Sequence, residues 1–223
     1  DMLGRGDSSY LPDTALYTVR HFLLGLAVTN RFQLPVNGFL GSSWGGLMAL
    51  AYAAADRWRA ACLVLNDCPV RMSSDTETFQ RALRDEAVLR FPKKEDAARY
   101  LTDSRSLHFL QEPMRSRVLN GRLRKENGTW RLNCDPALAE TLRPDSVFST
   151  ERLLRHARRP VLLNYGLESP YAQEPLHDEI VKSNDRISIL RTMAAPHPPS
   201  LMKSSEIDAI TAFLLPHLSG PVA

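Results

Sequence analysis

The sequence predicts an α/β fold in which a mostly parallel sheet is flanked by helices and interrupted by a helical insertion. Short apolar segments alternate with helical segments in the first third of the chain and again after Pro160, which is typical of parallel sheets. Between these stretches the sequence is charged and rich in helix formers. We therefore expect a core of residues 1–72 and 156–223, with residues 73–155 as the insertion.

Four strands and four helices are predicted in the core. Short apolar segments bounded by turn residues indicate strands, and apolar residues three or four apart or runs rich in Ala, Leu and Met indicate helices. The predicted strands are Leu34–Gly41, Ala61–Asn66, Val161–Tyr165 and Ile187–Thr192. The predicted helices are Thr14–Thr29, Trp44–Trp58, Gln173–Ser183 and Ser204–Leu218, the last with Ser204 and Ser205 as candidate caps.

The insertion carries its own signals. Residues 81–91 and 93–101 are predicted helices, and Asn127-Gly128 predicts a tight turn before a short strand, Trp130–Cys134.

Composition excludes several classes of protein. The 223 residues are 43 % hydrophobic and carry a formal net charge of +3, which is ordinary for a soluble folded domain. Because the charges are scattered, neither nucleic acid nor a membrane surface is an expected partner. The apolar stretches are also shorter than the roughly 18 residues of a membrane span. The three cysteines fit a reducing compartment such as the cytoplasm and have no metal-ligand spacing with the histidines, so no metal or other cofactor is expected.

The segment from Gly41 to Gly45 matches the pattern G-x-S-x-G between a predicted strand and a predicted helix. A sharp turn at this place holds the serine in a strained backbone conformation and needs small neighbours, which Gly41 and Gly45 supply. Ser43 is therefore a candidate nucleophile. The N–H of Trp44, near the start of the helix, is a candidate donor to an oxyanion. The alternative is a glycine-rich turn without chemistry.

A serine hydroxyl needs a base to become a nucleophile, and the chain offers six histidines. His197 directly follows the last predicted strand, at the carboxyl edge of the sheet, where open α/β sheets bind ligands. The other histidines lie in predicted helices or in or beside the insertion. His197 is therefore the candidate base, with a solvated loop histidine as the alternative.

Four segments occur together in order: residues 1–8 (DMLGRGDS), 41–46 (GSSWGG), 64–67 (VLND) and 197–201 (HPPSL). Together they resemble the α/β-hydrolase family, and in particular bacterial serine hydrolases with a Leu-Asn-Asp segment after the strand that follows the elbow helix. The resemblance covers nearly the whole chain. It implies a hydrolase core in which residues 73–155 form a helical cap, with Ser43 as nucleophile and His197 as general base.

The chain departs from this pattern at the acid of the triad. The family places it after the seventh strand, in a G-x-x-S-D stretch, where this chain has Pro170 and therefore no carboxylate. Asp67 and Glu168 are the two open replacements. Asp67 is slightly favoured because it follows a strand at the active edge of the sheet, although a turn carboxylate and a solvated acid explain the two residues equally well.

A second departure lies at the front of the chain. The family's early strands and the loop that supplies a second oxyanion donor have no match here, so the resemblance implies an N-terminally incomplete core with an exposed sheet edge. Loss of one oxyanion donor lowers a rate on the order of a hundredfold or more.

The resemblance implies a serine hydrolase for a small ester or related acyl substrate. A serine at the elbow argues against the dehalogenase and epoxide hydrolase reactions, for which the family uses aspartate, whereas hydrolysis of carbon–carbon bonds stays open. The alternative is a non-catalytic relative that binds a ligand or serves as a scaffold, which Pro170 favours. A hydrogen bond between His197 and Ser43, with a carboxylate behind the histidine, would discriminate between the two.

Overall fold

The computed structural model describes residues 1–32, 38–55, 60–71, 76–105, 107–108, 110–142, 149–193, 195 and 197–218. Its helices are α1 Val19–Phe32, α2 Trp44–Ala54, α3 Thr76–Ala87, α4 Lys94–Ser104, α5 Met114–Arg122, α6 Thr150–Arg155, α7 Glu174–Ser183 and α8 Ser204–Leu218, with 3-10 helices at Thr14–Leu16 and Pro136–Leu142. Its strands are β1 Gly38–Ser42, β2 Cys62–Asn66, β3 Leu123–Glu126, β4 Thr129–Leu132, β5 Val161–Gly166 and β6 Ile187–Thr192. None of the described helices is both long and apolar enough to span a membrane.

The chain forms two compact units. One consists of residues 1–25 and 73–147, and the other of residues 26–72 and 148–223. This division differs from the expected one because residues 1–25, assigned to the core by sequence, group with the insertion. Residues 148–155, assigned to the insertion, group with the sheet.

The second unit contains a four-stranded parallel sheet in the order β1-β2-β5-β6. The central strands β2 and β5 are buried along their whole length, as continuous apolar runs predict. On one face of the sheet, Val64 and Leu162 pack against Ile210 of α8. The α/β fold class is confirmed, and so are the predicted bounds of β6 and α8. Of the predicted first strand, residues 34–37 lie outside the described residues, as do residues 56–58 of the predicted second helix.

In the first unit, a two-stranded antiparallel hairpin of β3 and β4 surrounds the predicted turn. Asn127 and Gly128 both have positive φ, 49° and 81°, as a two-residue hairpin turn requires. The predicted turn is thus confirmed, and the strand after it is Thr129–Leu132 instead of Trp130–Cys134.

Local hydrogen bonds change the start of one predicted helix and the predicted cap of another. The predicted helix Thr14–Thr29 is split: Asp13 caps a 3-10 turn, and α1 begins only after Thr18, whose Oγ1 accepts the N–H of His21 at 3.4 Å. At α8, neither Ser204 nor Ser205 supplies the cap. Instead Glu206 Oε2 accepts the N–H groups of the two residues before the helix, at 3.0 and 3.3 Å.

Candidate active site

Ser43 lies at the turn between β1 and α2, with φ 50° and ψ −122°. Such a conformation costs a non-glycine residue about 1–3 kcal/mol and is typical of functional sites. Backbone hydrogen bonds hold the turn on both sides. The Ser43 N–H donates to Asn66 O of β2 at 2.8 Å, and the Ser43 carbonyl accepts the N–H groups of Gly46 and Leu47 in α2. The Ser43 side chain makes no capping bond to the helix, so its hydroxyl stays oriented toward other partners.

The turn requires glycine at two positions, 41 and 46, whereas the sequence predicts positions 41 and 45. A Cβ on Gly41 would lie 2.5 Å from Gly46 N, and a Cβ on Gly46 would lie 2.6 Å from Gly41 O and 2.2 Å from Cys68 Sγ. A Cβ on Gly45 would meet nothing within 4 Å. The prediction that Gly45 must be small is therefore wrong, because the strand crosses α2 at Gly46.

The variant Gly46→Ala is expected to lower the free energy of unfolding by about 1–3 kcal/mol, the usual cost of overpacking. Gly45→Ala, one residue away, is expected to be neutral or stabilising by up to about 1 kcal/mol, because alanine is the better helix former. Urea unfolding of both variants checks this expectation. Equal losses of stability in the two variants would contradict the close approach at Gly46.

The thiol of Cys68 fills the space beneath the turn. Its Sγ donates to Ser43 O at 3.3 Å, and burial raises the pKa of this thiol. Since the thiolate is the reactive form of cysteine, the Cys68 thiol is a neutral packing group at this turn.

His197 connects Ser43 to Asp67. Its Nε2 lies 3.1 Å from Ser43 Oγ, and its Nδ1 lies 2.8 Å from Asp67 Oδ2. An ionised carboxylate can only accept, so Nδ1 carries the proton and donates it to Asp67. Nε2 is then an acceptor for the Ser43 hydroxyl, which is the arrangement a general base requires.

Asp67 follows β2 directly and is fully buried. Its φ of 56° is, like that of Ser43, unusual for a residue with a side chain. Its N–H donates to Asn164 O at 2.6 Å, which fixes the backbone. Asp67 Oδ1 has no hydrogen-bond partner among the described residues, so His197 is the principal partner of a buried charge.

Glu168, the other candidate acid, follows β5 at the same edge of the sheet as Asp67. Its side chain is exposed, and in the described part of the chain it makes no bond to His197. Its backbone N–H donates to Ala195 O at 3.2 Å and so anchors the loop before His197. The structure thus brings Asp67, and not Glu168, to the histidine. Pro170, which occupies the position where the family places the acid, is exposed.

Tyr171 is a neighbour of His197 that the sequence analysis missed. The two ring centroids are 4.6 Å apart and the rings are nearly perpendicular, at 79°. Burial and the charge of Asp67 raise the pKa of the Tyr171 hydroxyl, so it stays neutral. No spacing in the sequence signals this contact, because Tyr171 lies in a loop without a pattern.

The amino-terminal end of α2 borders Ser43. Trp44 is the first residue of α2, where backbone N–H groups and the helix dipole favour negative charge. Among the described residues, no group of three or more histidine, cysteine, aspartate or glutamate side chains is arranged to hold a metal ion.

Solved structures decide the fold. An α/β hydrolase from Novosphingobium aromaticivorans superposes with a TM-score of 0.81 at 23 % identity, over 96 % of this chain and 78 % of that one. The chain has the α/β-hydrolase fold. A protein from Rickettsia typhi to which hydrolase activity is attributed gives a TM-score of 0.82 at 19 % identity, over 95 % of this chain and 74 % of the other. An esterase from Mycobacterium tuberculosis gives 0.72 at 17 % identity, over 96 % and 74 %.

No protein-family model matches the chain, and no curated protein matches it either. At the identities of the solved structures, the similarity shows the α/β-hydrolase fold, and the reaction has to be argued from the site.

Proposed function

We propose that the protein is a serine hydrolase that acts on an ester or related acyl substrate, a small molecule. The hydrogen-bonded series from Ser43 Oγ through His197 to Asp67 carries this proposal. The strained backbone of Ser43 supports it, as does the presence of hydrolases and an esterase among the proteins that share the fold. The site needs no metal or cofactor for this reaction.

The reaction follows from the geometry. His197 Nε2 takes the proton of the Ser43 hydroxyl while Oγ attacks the carbonyl carbon of the substrate, and the oxygen of the tetrahedral intermediate becomes negative. The Trp44 N–H donates to this oxygen. His197 then returns the proton to the departing alcohol, and the acyl group stays on Ser43. Water, deprotonated by His197, hydrolyses the acyl-enzyme and restores the serine.

Asp67 has two tasks in this scheme. It holds the proton of His197 on Nδ1, and it stabilises the imidazolium that forms when Nε2 takes the serine proton. Because Asp67 is fully buried, water screens this interaction little.

The scaffold alternative requires no contact between the serine and the histidine. The 3.1 Å distance between Ser43 Oγ and His197 Nε2 therefore supports the enzyme over the non-catalytic relative. We propose ester hydrolysis rather than carbon–carbon bond hydrolysis because it needs only the groups described above. The cap role of residues 73–155 and the cytoplasmic location stay predictions.

Hydrolysis of p-nitrophenyl acetate tests the function, and Asp67→Asn with Glu168→Gln as its matched control tests the acid. The wild-type protein should release p-nitrophenolate above the buffer rate. Asp67→Asn should lower kcat about 10⁴-fold, because an asparagine amide donates to Nδ1 and forces the proton onto Nε2. Glu168→Gln should leave kcat within about twofold, as expected for an exposed side chain.

Two results would contradict the proposal. The first is a rate of ester hydrolysis by the wild-type protein that equals the rate in buffer, in a sample whose near-ultraviolet circular dichroism shows a folded protein. It would contradict the proposed hydrolase function. The second is a decrease in kcat for Glu168→Gln as large as that for Asp67→Asn. It would contradict the role of Asp67 as the acid that orients His197.

A further inference from the structure

A row of polar side chains crosses the four-stranded sheet toward the carboxyl ends of its strands. Asn66 lies opposite Ser42 on one side and opposite Asn164 on the other. Asn66 Nδ2 donates to Ser42 Oγ at 2.8 Å, and Asn164 Nδ2 donates to Asn66 Oδ1 at 2.7 Å. Thr192 Oγ1 completes the row with a bond of 2.8 Å to Asn164 Oδ1.

The row lies on the same face of the sheet as the apolar core formed by Val64, Leu162 and Ile210. Side chains two residues apart on a strand share a face, and Val64 and Leu162 precede the two asparagines by two residues in a core that is entirely apolar. Asn66 and Asn164 are 0 % and 1 % exposed. Two more apolar side chains would fill these positions without the cost of burying amides, so sheet packing alone does not account for the row.

Asn66 has one further bond, and it leaves the sheet. Its Nδ2 also donates to the carbonyl of Pro199 at 2.9 Å, two residues after His197. Both hydrogens of the Asn66 amide and its oxygen are therefore engaged. Because the Pro199 carbonyl can only accept, Nδ2 of Asn66 has to face it, and Oδ1 then faces Asn164.

We infer that Asn66 is a positioning residue, whose bond to the Pro199 carbonyl holds the loop so that His197 bridges Ser43 and Asp67. This inference rests on the proposed function. Two other hydrogen bonds anchor the loop, and neither of them comes from β2, the strand that precedes Asp67. The Ala195 carbonyl is bound by the Glu168 N–H, and Glu206 Oε2 accepts Ser200 Oγ at 3.1 Å. The Asn66 bond is thus a direct tie between the end of β2, from which Asp67 projects, and the segment that carries His197.

The test compares two variants. One lacks the hydrogen bond from Asn66 to the Pro199 carbonyl, and the other lacks only the hydrogen bond from Thr192 to Asn164. Asn66→Leu/Asn164→Leu replaces both partners of an internal hydrogen bond by apolar side chains of similar size, which preserves folding best. Thr192→Val, of the same shape as threonine, removes one buried bond and keeps the Asn66–Pro199 bond. Asn66→Ala, which adds no volume, serves if the double variant does not fold.

The first readout is the proton NMR signal of the His197 Nδ1–H, which the short bond to Asp67 shifts downfield and which is identified by its loss in His197→Gln. It reports the geometry of the histidine without any reaction. We expect the signal in the wild-type protein and in Thr192→Val, and we expect its loss or broadening in Asn66→Leu/Asn164→Leu or Asn66→Ala. The second readout is the rate at which a fluorophosphonate labels Ser43, which should fall about 10²-fold in the same variants, as for a catalytic group misplaced by about 1 Å.

The outcomes separate the inference from the proposed function. An unchanged His197 signal in a folded variant that lacks Asn66 would overturn the inference, and so would an equal loss in Thr192→Val, because the row would then act only through the stability of the sheet. A wild-type protein with the signal but without labelling would instead contradict the proposed function, and the signal in the variants would still decide the role of Asn66.

Discussion

Ser43→Ala is expected to lower kcat for p-nitrophenyl acetate by up to about 10⁶-fold, the loss that follows removal of the nucleophile from a serine triad. The alanine removes the oxygen that forms the acyl-enzyme, and the other hydrolytic groups cannot replace it. KM should change little, because the hydroxyl contributes to bond making and not to substrate binding. Initial rates over a range of ester concentrations measure both constants.

A second serine serves as the control for Ser43. Ser205 is exposed at the start of α8, and Ser205→Ala should keep the wild-type kcat. A kcat within tenfold of wild type for a folded Ser43→Ala would contradict the role proposed for Ser43, whose Oγ lies at hydrogen-bond distance from the proton acceptor, His197 Nε2.

His197→Ala is expected to cost nearly as much as Ser43→Ala, because a serine without its base is as inactive as no serine. For the same reason the double variant Ser43→Ala/His197→Ala should be no slower than either single variant. This lack of additivity is the signature of groups that act as one unit. Parallel measurement of kcat for the two single variants and the double variant gives the interaction directly.

The control for His197 is another histidine. His156 is exposed at the end of α6, and His156→Ala should leave kcat unchanged. Losses in the two single variants that multiply in the double variant would show that Ser43 and His197 act independently, and this would contradict the hydrogen bond between them as the basis of catalysis.

The parts of the fold and site that depend on local sequence could be predicted. The strands β2 and β5 are continuous apolar runs, and the turn at Ser43 combines glycines with a serine between a strand and a helix. Because His197 follows β6, the parallel sheet alone places it at the same edge as Ser43. The same argument favours Asp67 over Glu168, since Asp67 is the residue directly after β2.

The remaining features depend on contacts that no local pattern encodes. The sequence predicts that residues 1–25 belong to the core, yet Gly4 O accepts the N–H of Asp135, and Tyr17 Oη donates to Asp135 Oδ2 at 2.7 Å. Pairing between segments so far apart in the chain leaves no local signal. The requirement for glycine at position 46 also escaped prediction, because a Cβ there would meet Cys68 Sγ, from the loop after β2, and Gly41 O.

The role inferred for Asn66 shows a further limit. An asparagine at the end of a strand is usually interpreted as a turn residue, and only the register of β1, β2 and β5 reveals that Ser42 and Asn164 lie on either side of it. Tyr171 is a similar case, since its ring meets His197 through the path of a loop.

Labelling with a fluorophosphonate, followed by mass spectrometry of the peptides, tests the central claim most directly. Such a probe reacts covalently with a serine only when a base activates it, and the adduct identifies the residue. We predict one adduct per chain, on Ser43, formed at a rate that Asp67→Asn lowers and Glu168→Gln leaves unchanged. An adduct on another residue, or no adduct in a folded sample, would contradict the assignment of Ser43, His197 and Asp67 as a catalytic triad.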